Sequence, residues 1–310
     1  MRQERKEKLA DEVTMEYISA TQFAGKFGIS ERTARNYCAS GKIEGAFLTG
    51  KTWNIPADAV LPQRGAVKKK VSPLLKALRE QKASRLKGGI YHRTQIDLTY
   101  NSNHIEGSRL THDQTRYIFE TNTIGITDET VNVDDIVETV NHFCCIDYII
   151  DHAEDPVTEG LVKQLHLLLK TGTSDSRKDW FAVGEYKRLA NEVGGQETCP
   201  PKEVHRQMKA LLSTYHRNKR KALEDILEFH VRFELIHPFQ DGNGRVGRLL
   251  MFKECLANGI VPFIISDDLK LFYYRGLREW GHINGFLTDT CLTAQDQYKS
   301  LLDYFKITYK

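Results

Sequence analysis

The sequence predicts a mainly α-helical protein with two domains. Apolar residues recur at helical spacing through most of the chain beyond residue 74, and 310 residues are enough for two domains with a sizeable core. Charge is uneven, because residues 1–90 hold 18 Lys and Arg against 9 Asp and Glu, whereas the remainder holds 26 against 32. The basic N-terminal third indicates an acidic partner for that part alone, nucleic acid first.

The first segment, residues 1–61, shows two helix signals followed by a hairpin signal. Helices are predicted over 19–27 and Glu31–Ser40, with Ser30 as an N-cap, and two short strands are predicted over 46–56. This order resembles a winged helix-turn-helix of the excisionase or MerR-like kind. The resemblance implies DNA binding through four polar side chains: Arg32, Arg35 and Asn36 toward a major groove, and Lys51 toward phosphate. Such modules also mediate protein contacts, so a solvated basic face is the alternative.

The remaining chain is predicted as a basic linker and helix over 62–90, followed by a helical domain over 91–310. Three well-marked helices are expected in that domain, namely Asp134–His152, Thr158–Thr171 and Glu203–Arg217. Residues 184–201 interrupt this pattern. Two short extended runs about Gly194 and Gly195 predict a β-hairpin there, with an edge that another chain could pair with.

Residues 228–259 carry the densest chemistry in the chain. A helix is predicted to end at His237, because Pro238 disfavours helical φ and ψ for the residue before it. The loop Gln-Asp-Gly-Asn-Gly follows, and a second helix is predicted to end at Gly259. Successive backbone amides of residues 242–245 could then form an anion-binding concavity at a helix N-terminus.

Four side chains add to this concavity. Arg245 and Arg248 share a helical face and extend the positive surface. Asp241 would repel a bare phosphate, but its presence makes sense if Mg²⁺ lies between it and the phosphate oxygens. His237 is a candidate general base, since an unperturbed imidazole titrates near neutrality. The residues therefore predict a polyphosphate site with a metal ligand and a base. A lone Gly-Asn-Gly is usually a simple turn, and the GxxxxGK[ST] pattern of a P-loop is absent from this stretch.

The run His237-Pro-Phe-Gln-Asp-Gly-Asn-Gly-Arg-Val-Gly-Arg248 resembles the full HxFx(D/E)GNGRxxR signature of the Fic family, enzymes that transfer AMP from ATP to hydroxyl side chains. No signature position departs from the pattern. Doc-type relatives, which are kinases, carry a loop ending in Asn-Lys-Arg instead. The resemblance covers roughly residues 91–290, and it implies a helical Fic domain that uses ATP and Mg²⁺.

The resemblance also gives each matching residue a role. His237 would be the catalytic base and Asp241 the Mg²⁺ ligand. Nucleotide binding would fall to Gly242, Asn243, Gly244, Arg245, Arg248, Tyr273 and Tyr274. The two tyrosines lie in a stretch similar to the family's aromatic residues beside the nucleotide base, although aromatic residues at helical spacing are more often core. The hairpin about residues 184–201 resembles the Fic flap, which aligns a target segment through main-chain bonds.

The segment Ser102-Asn-His-Ile-Glu106-Gly107 resembles the family's inhibitory (S/T)xxxE(G/N) motif. From the residues alone, 99–111 predicts a weak helix or a loop, since Asn and Ser are indifferent helix formers. The resemblance implies an inhibitory helix in which Glu106 pairs with Arg248, the arginine that would otherwise hold the γ-phosphate. ATP would then bind with a misaligned α-phosphate. We therefore expect an autoinhibited enzyme.

The expected function is AMP transfer to a Tyr, Thr or Ser hydroxyl of a target protein docked on the flap. Two alternatives stay open: Glu106-dependent removal of AMP, and a DNA-binding regulator whose Fic domain senses nucleotide. Auto-AMPylation and a homodimer also stay open. The N-terminus is charged rather than signal-like, no apolar run reaches bilayer length, and the six cysteines are scattered. A cytoplasmic protein with reduced thiols and no membrane partner is expected.

Overall fold

The computed structural model describes residues 16–62, 71–125 and 130–309, and the chain divides into two compact units, Met1–Lys70 and Val71–Lys310. Residues 63–70 of the predicted linker lie outside the described residues. The helix expected to follow the linker is present, and it packs against helices of the larger unit.

The smaller unit combines two helices with a three-stranded antiparallel sheet. Its elements in chain order are β1 (Tyr17–Ser19), α1 (Ala20–Phe27), α2 (Glu31–Ala39), β2 (Phe47–Thr49) and β3 (Thr52–Pro56). Strand β3 lies between β1 and β2, and Phe23, Ala34 and Ile55 form the centre of a small core. The side chain of Ser19 accepts the amide of Gln22 and so begins α1. Helix, helix and hairpin occur in the predicted order, whereas β1 was not predicted.

The larger unit is mainly helical, as predicted. Its helices are α3 (Pro73–Ser84), α4 (Ile90–Ile105), α5 (His112–Thr121), α6 (Val133–Asp151), α7 (Glu159–Lys170), α8 (Pro201–Tyr215), α9 (Leu223–Ile236), α10 (Asn243–Asn258), α11 (Lys270–Arg278) and α12 (Gly285–Tyr304). A hairpin of β4 (Glu192–Val193) and β5 (Gln196–Glu197) precedes α8, and short 3₁₀ turns span Asp175–Arg177 and Asp267–Leu269. Among the described residues, no helix is both long and apolar enough to cross a membrane.

Helix α10 lies at the centre of this unit, against α4, α6, α7 and α9. Val246, Leu249 and Leu250 are fully buried on it, together with Phe233 of α9. The helix ends at Gly259, whose φ of 69° is the left-handed conformation that glycine adopts without steric cost. Burial on all sides fixes the N-terminal end of α10 within the core, and that end carries the predicted signature.

Helix α4 is longer and better formed than its own residues predict. It continues through Ile105, although the sequence alone indicated weak helix or loop from residue 99. Hydrogen bonds to α6 explain the difference: Thr99 Oγ1 lies 3.0 Å from Nδ1 of His142, and Asn103 Nδ2 donates to Thr139 at 3.2 Å. Tertiary contacts therefore override the low helix propensity of this segment.

Candidate active site

The signature residues lie on a helix end, a loop and a helix start. Helix α9 ends at Ile236, as predicted, and His237 takes the left-handed conformation at φ 50° while its amide donates to the carbonyl of Phe233 at 2.9 Å. The loop then turns at Gly242, whose φ is 79°, and α10 begins. His237 and the first turn of α10 are thereby held on two packed helices.

His237 is half-buried, and among the described residues its Nδ1 has no hydrogen-bond partner. Burial, together with the nearby ammonium of Lys187, lowers the pKa of His237 to about 4. The imidazole is therefore neutral at pH 7. A neutral imidazole can accept a proton, which is the requirement for a general base.

The loop before α10 is closed by Asn243. Its side chain accepts the amide of Phe239 at 2.8 Å and donates to the carbonyl of the same residue at 2.9 Å. Asn243 is 2% exposed, so its side chain shapes the loop and is not available to a ligand. Because the first amides of a helix lack intrahelical acceptors, this helix start can bind an anion.

Arg245 lies in a closed ring of charges. Its two terminal nitrogens donate to Glu138 of α6 and, at 3.1 Å, to Oδ2 of Asp241. Lys170, at the end of α7, donates to Glu138 and, at 2.7 Å, to Oδ2 of Asp241. Although burial opposes it, these two cations hold the pKa of Asp241 well below its usual range. Two cations thus face the carboxylates of Glu138 and Asp241 beside Gly242, and Lys170 also contacts Asp175 at 3.3 Å.

Asp241 keeps one route open to a cation. Its side chain is 46% exposed, and its ion pairs with Lys170 and Arg245 both use Oδ2. An ionised, partly exposed carboxylate beside the predicted phosphate site fits Mg²⁺, which proteins often hold through one or two carboxylates plus substrate phosphates. Glu138 cannot be a second ligand in this arrangement, because Lys170 and Arg245 occupy its two oxygens.

Arg248 lies one turn further along α10 and contacts a different set of groups. It donates to Oγ of Ser102 at 3.1 Å, to the carbonyl of Ser102 at 2.8 Å and to Oε1 of Glu106 at 2.7 Å. The Arg248 side chain is 4% exposed, whereas that of Glu106 is 29% exposed. The predicted inhibitory residues Ser102 and Glu106 are thus both brought to Arg248.

Gly244 makes room for this contact. A Cβ atom at this position would collide with Oε1 of Glu106 and would lie 2.9 Å from Nη1 of Arg248. The carboxylate of Glu106 therefore lies directly over the first turn of α10. A negative charge there occupies part of the surface that a phosphate group would need.

The two tyrosines differ in position. Tyr273 is 1% exposed and is hydrogen-bonded to Nε2 of His230 at 2.6 Å, so it belongs to the core. Tyr274 is 42% exposed, and its hydroxyl lies 3.4 Å from the carbonyl of Ile105, next to Glu106. Of the two predicted aromatic contacts, Tyr274 is the one that presents surface to a ligand.

The predicted hairpin is attached to the segment that carries His237. The amide of Lys187 donates to the carbonyl of Pro238 at 2.9 Å, and Asn191 Nδ2 donates to the carbonyl of Phe239 at 3.1 Å. Gly194 and Gly195 form its turn with φ of 60° and 77°. Its base therefore lies beside the imidazole.

Three titratable residues of this site were missed in the sequence. Lys170 and Glu138 lie on helices whose apolar spacing predicts only a structural role, and no local sequence pattern distinguishes these two residues. Glu234 lies near Arg248, and its Oε1 has no hydrogen-bond partner among the described residues. Burial, opposed by Arg248 and reinforced by Glu106, raises the pKa of Glu234 to about 8, so this carboxyl is protonated at neutral pH.

The smaller unit presents its predicted polar residues on one helix face. Arg32, Arg35 and Asn36 of α2 are exposed, and Arg35 pairs with Glu31 at 2.6 Å. Lys51, in the turn between β2 and β3, is also exposed. These residues are available to an anionic partner.

Comparison with known proteins finds a family match within the larger unit. Residues 156–255 match the model of the Fic/DOC family. The chain therefore carries a Fic domain. Mainly helical Fic structures share its fold: a Fic-domain-containing signaling protein from Bacteroides thetaiotaomicron covers 74% of this chain at a TM-score of 0.55, with 25% identity and 90% of its own chain matched. Fic-1 from C. elegans covers 75% at a TM-score of 0.58, with 19% identity and 72% of its chain matched.

Curated relatives of the Fic domain bear the name protein adenylyltransferase Fic. The Drosophila virilis protein is 28% identical over 187 residues, which is 58% of this chain and 36% of that protein. The Nematostella vectensis protein is 27% identical over 193 residues, 59% of this chain and 42% of that protein. The chain thus matches less than half of the length of these relatives.

Proposed function

We propose that this chain is a protein adenylyltransferase that moves AMP from ATP to a Tyr, Thr or Ser hydroxyl of a target protein. The observation that carries the proposal is a neutral His237 followed by a loop and the N-terminus of α10, with a complete Fic signature across them. The name of the curated relatives, protein adenylyltransferase Fic, supports the same reaction class.

In the proposed reaction, His237 takes the proton of the target hydroxyl as its oxygen attacks the α-phosphorus of ATP. An oxygen–phosphorus bond to the AMP group forms, the bond between the α-phosphorus and the bridging oxygen breaks, and pyrophosphate leaves. The backbone amides about Gly242, Asn243 and Gly244 hold the diphosphate, with Arg248 on the γ-phosphate. A Mg²⁺ ion held by Asp241 would neutralise phosphate charge.

Two further nucleotide contacts are part of the proposal. Tyr274 is positioned on the exposed side of α11 to meet the base, whereas Tyr273 would support it from the core. Arg245 would act on the diphosphate mainly by fixing the loop, since its terminal nitrogens already donate to Glu138 and Asp241.

Glu106 is the proposed brake. Its carboxylate occupies Arg248, the group proposed for the γ-phosphate, and lies over Gly244. Nucleotide must displace this ion pair or bind with its triphosphate shifted. Because misplacement of a reacting phosphate weakens catalysis strongly, the wild-type chain should transfer AMP slowly.

The target is proposed to dock on the hairpin of β4 and β5. The hairpin base is bonded to Pro238 and Phe239, so an extended target segment paired with it would lie close to His237. The proposed target is a separate protein or the chain itself. A mass measurement in solution tests whether the chain forms a dimer.

The test is transfer of α-labelled ATP in the presence of Mg²⁺ and a cell lysate. We expect weak labelling by wild type, roughly 10- to 100-fold more by Glu106→Gly, since a charge-assisted bond of about 1.5–3 kcal/mol is removed, and none by Glu106→Gly/His237→Ala. Glu106→Gln is the matched control. Because it keeps the side-chain shape, labelling by this variant should increase less than labelling by Glu106→Gly. Label that persists without His237 would refute the assignment.

A second reaction, removal of AMP, is favoured by the exposure of Glu106. A carboxylate that is 29% exposed over the phosphate site could activate a water molecule. The discriminating assay starts from AMP-modified target. Loss of AMP that requires Glu106 favours this reaction, whereas stable modified target favours transfer.

DNA binding by the smaller unit is the candidate from a different class. The exposed face of Arg32, Arg35 and Asn36, together with an exposed Lys51 in the turn between β2 and β3, is the observation that favours it. We expect binding to the chain's own promoter region, lost on Arg35→Ala and weakened steeply by salt. Unchanged affinity in that variant would instead indicate a protein-contact module.

A further inference from the structure

Lys170 is a buried cation under the phosphate loop. It is the last residue of α7, it is 2% exposed, and its stem lies beneath Gly242, where an added Cβ would be 3.7 Å from Lys170 Cδ. The ammonium also lies 5.4 Å from the ring centroid of Phe181. Helix, loop and aromatic ring together hold the side chain in one place.

Three carboxylates converge on this ammonium. Lys170 Nζ lies 2.7 Å from Oδ2 of Asp241 and 3.3 Å from Oδ2 of Asp175, and it also donates to Oε1 of Glu138. An ammonium has three protons to donate, so this arrangement uses all of them. Burial disfavours the charged form, but Asp241 and Glu138 outweigh it and raise the pKa of Lys170.

We propose that Lys170 is a positioning residue that holds Oδ2 of Asp241 and neutralises charge in the carboxylate cluster. Asp241 would then bind a divalent cation through its other oxygen, and only when nucleotide phosphate supplies further ligands. This rests on the proposed function only in taking Asp241 as the cation ligand. In the absence of the ammonium, two cations would remain for three carboxylates, namely Arg245 on Glu138 and Asp241 and Lys178 on Asp175. The excess of negative charge would then favour capture of a metal ion without nucleotide.

Lys170→Met is the informative variant, because it keeps an unbranched stem and removes the charge. Lys170→Arg retains the charge. The matched control is Lys163→Met on the same helix, where Nζ pairs with Glu185 at 2.6 Å, away from Asp241. If Lys170→Met fails to fold, the double variant Lys170→Met/Asp175→Asn is used instead. It removes one carboxylate together with the cation, so that Arg245 compensates the charges of Glu138 and Asp241.

The experiment measures free Mn²⁺ by electron paramagnetic resonance during titration of the full chain, first without nucleotide and then with ATP. We expect wild type, Lys170→Arg and Lys163→Met to bind Mn²⁺ weakly until ATP is added. Lys170→Met should bind it at least roughly tenfold more tightly without nucleotide. Adding Asp241→Asn to Lys170→Met should remove that gain.

Equal Mn²⁺ affinity in folded Lys170→Met and wild type would overturn the proposal. A gain that survives Asp241→Asn would overturn it too, because the ion would then be held by Glu138 and Asp175. These outcomes are separable from the proposed reaction. If Lys170→Met binds Mn²⁺ more tightly but the chain transfers no AMP, only the proposed reaction is refuted. If the chain transfers AMP but Lys170→Met shows no gain in Mn²⁺ affinity, only the role of Lys170 is refuted.

Discussion

Arg245 and Arg248 lie three residues apart on one helix, yet their surroundings differ. Arg245 is paired with Glu138 and Asp241, which Lys170 also binds, so its partners are shared between two fixed cations. Arg248 is paired with one carboxylate, Glu106. The first environment is a closed ring and the second is a single ion pair.

The partners also differ in how firmly they are held. Glu138 lies within α6 and is 14% exposed, whereas Glu106 caps the end of α4, is 29% exposed and precedes Gly107 at φ 98°. Glu106 can rotate into solvent without breaking a helix, but Glu138 cannot leave without stranding two buried cations. Exchange of a carboxylate for a phosphate is therefore expected at Arg248 and not at Arg245.

The largest expected effect separates the two arginines by stability. Arg245→Ala should lower the free energy of unfolding by about 3–5 kcal/mol, because it leaves Glu138 and Asp241 undercompensated in a buried ring. Arg248→Ala should cost about 1–2 kcal/mol, since Glu106 can be solvated. Urea denaturation of the larger unit measures both. Equal losses would show that the two environments are equally rigid.

Acid should weaken both environments through two buried histidines. His166 stacks on Phe239 beneath the Asp241 loop, and His230 lies beside Arg248. Burial lowers the pKa of each to about 3. Since each folded pKa lies below the unfolded value of about 6.5, the stability is complete above that value and declines as the pH falls toward 3. Each imidazole should lower the free energy of unfolding by about 2 kcal/mol at pH 5 relative to neutral pH.

The measurement is the free energy of unfolding at pH 7.5 and pH 5 for wild type, His166→Gln and His230→Gln. Each variant should be less stable than wild type at pH 7.5 but should lose about 2 kcal/mol less on acidification. An unchanged pH dependence in either variant would mean that its imidazole is charged in the folded chain.

The sequence predicted the helix end at His237, the loop, the buried face of α10 and the hairpin, because proline, glycine and apolar spacing act locally. The pairing of Glu106 with Arg248 required resemblance to a family, since no local pattern connects them. Lys170 and Glu138 were missed altogether. Their role arises from the approach of α6 and α7 to the loop, and helical spacing does not distinguish a buried charged residue at a helix end from an exposed one.

The most direct test compares ATP with ADP binding. Both are titrated calorimetrically with Mg²⁺ into His237→Ala and into His237→Ala/Glu106→Gly, so that no AMP is transferred. If Glu106 occupies the γ-phosphate position at Arg248, the first protein should bind ATP and ADP with similar Kd. The second should then prefer ATP by roughly tenfold or more. An ATP-to-ADP affinity ratio that is the same in both proteins would contradict competition between Glu106 and the γ-phosphate.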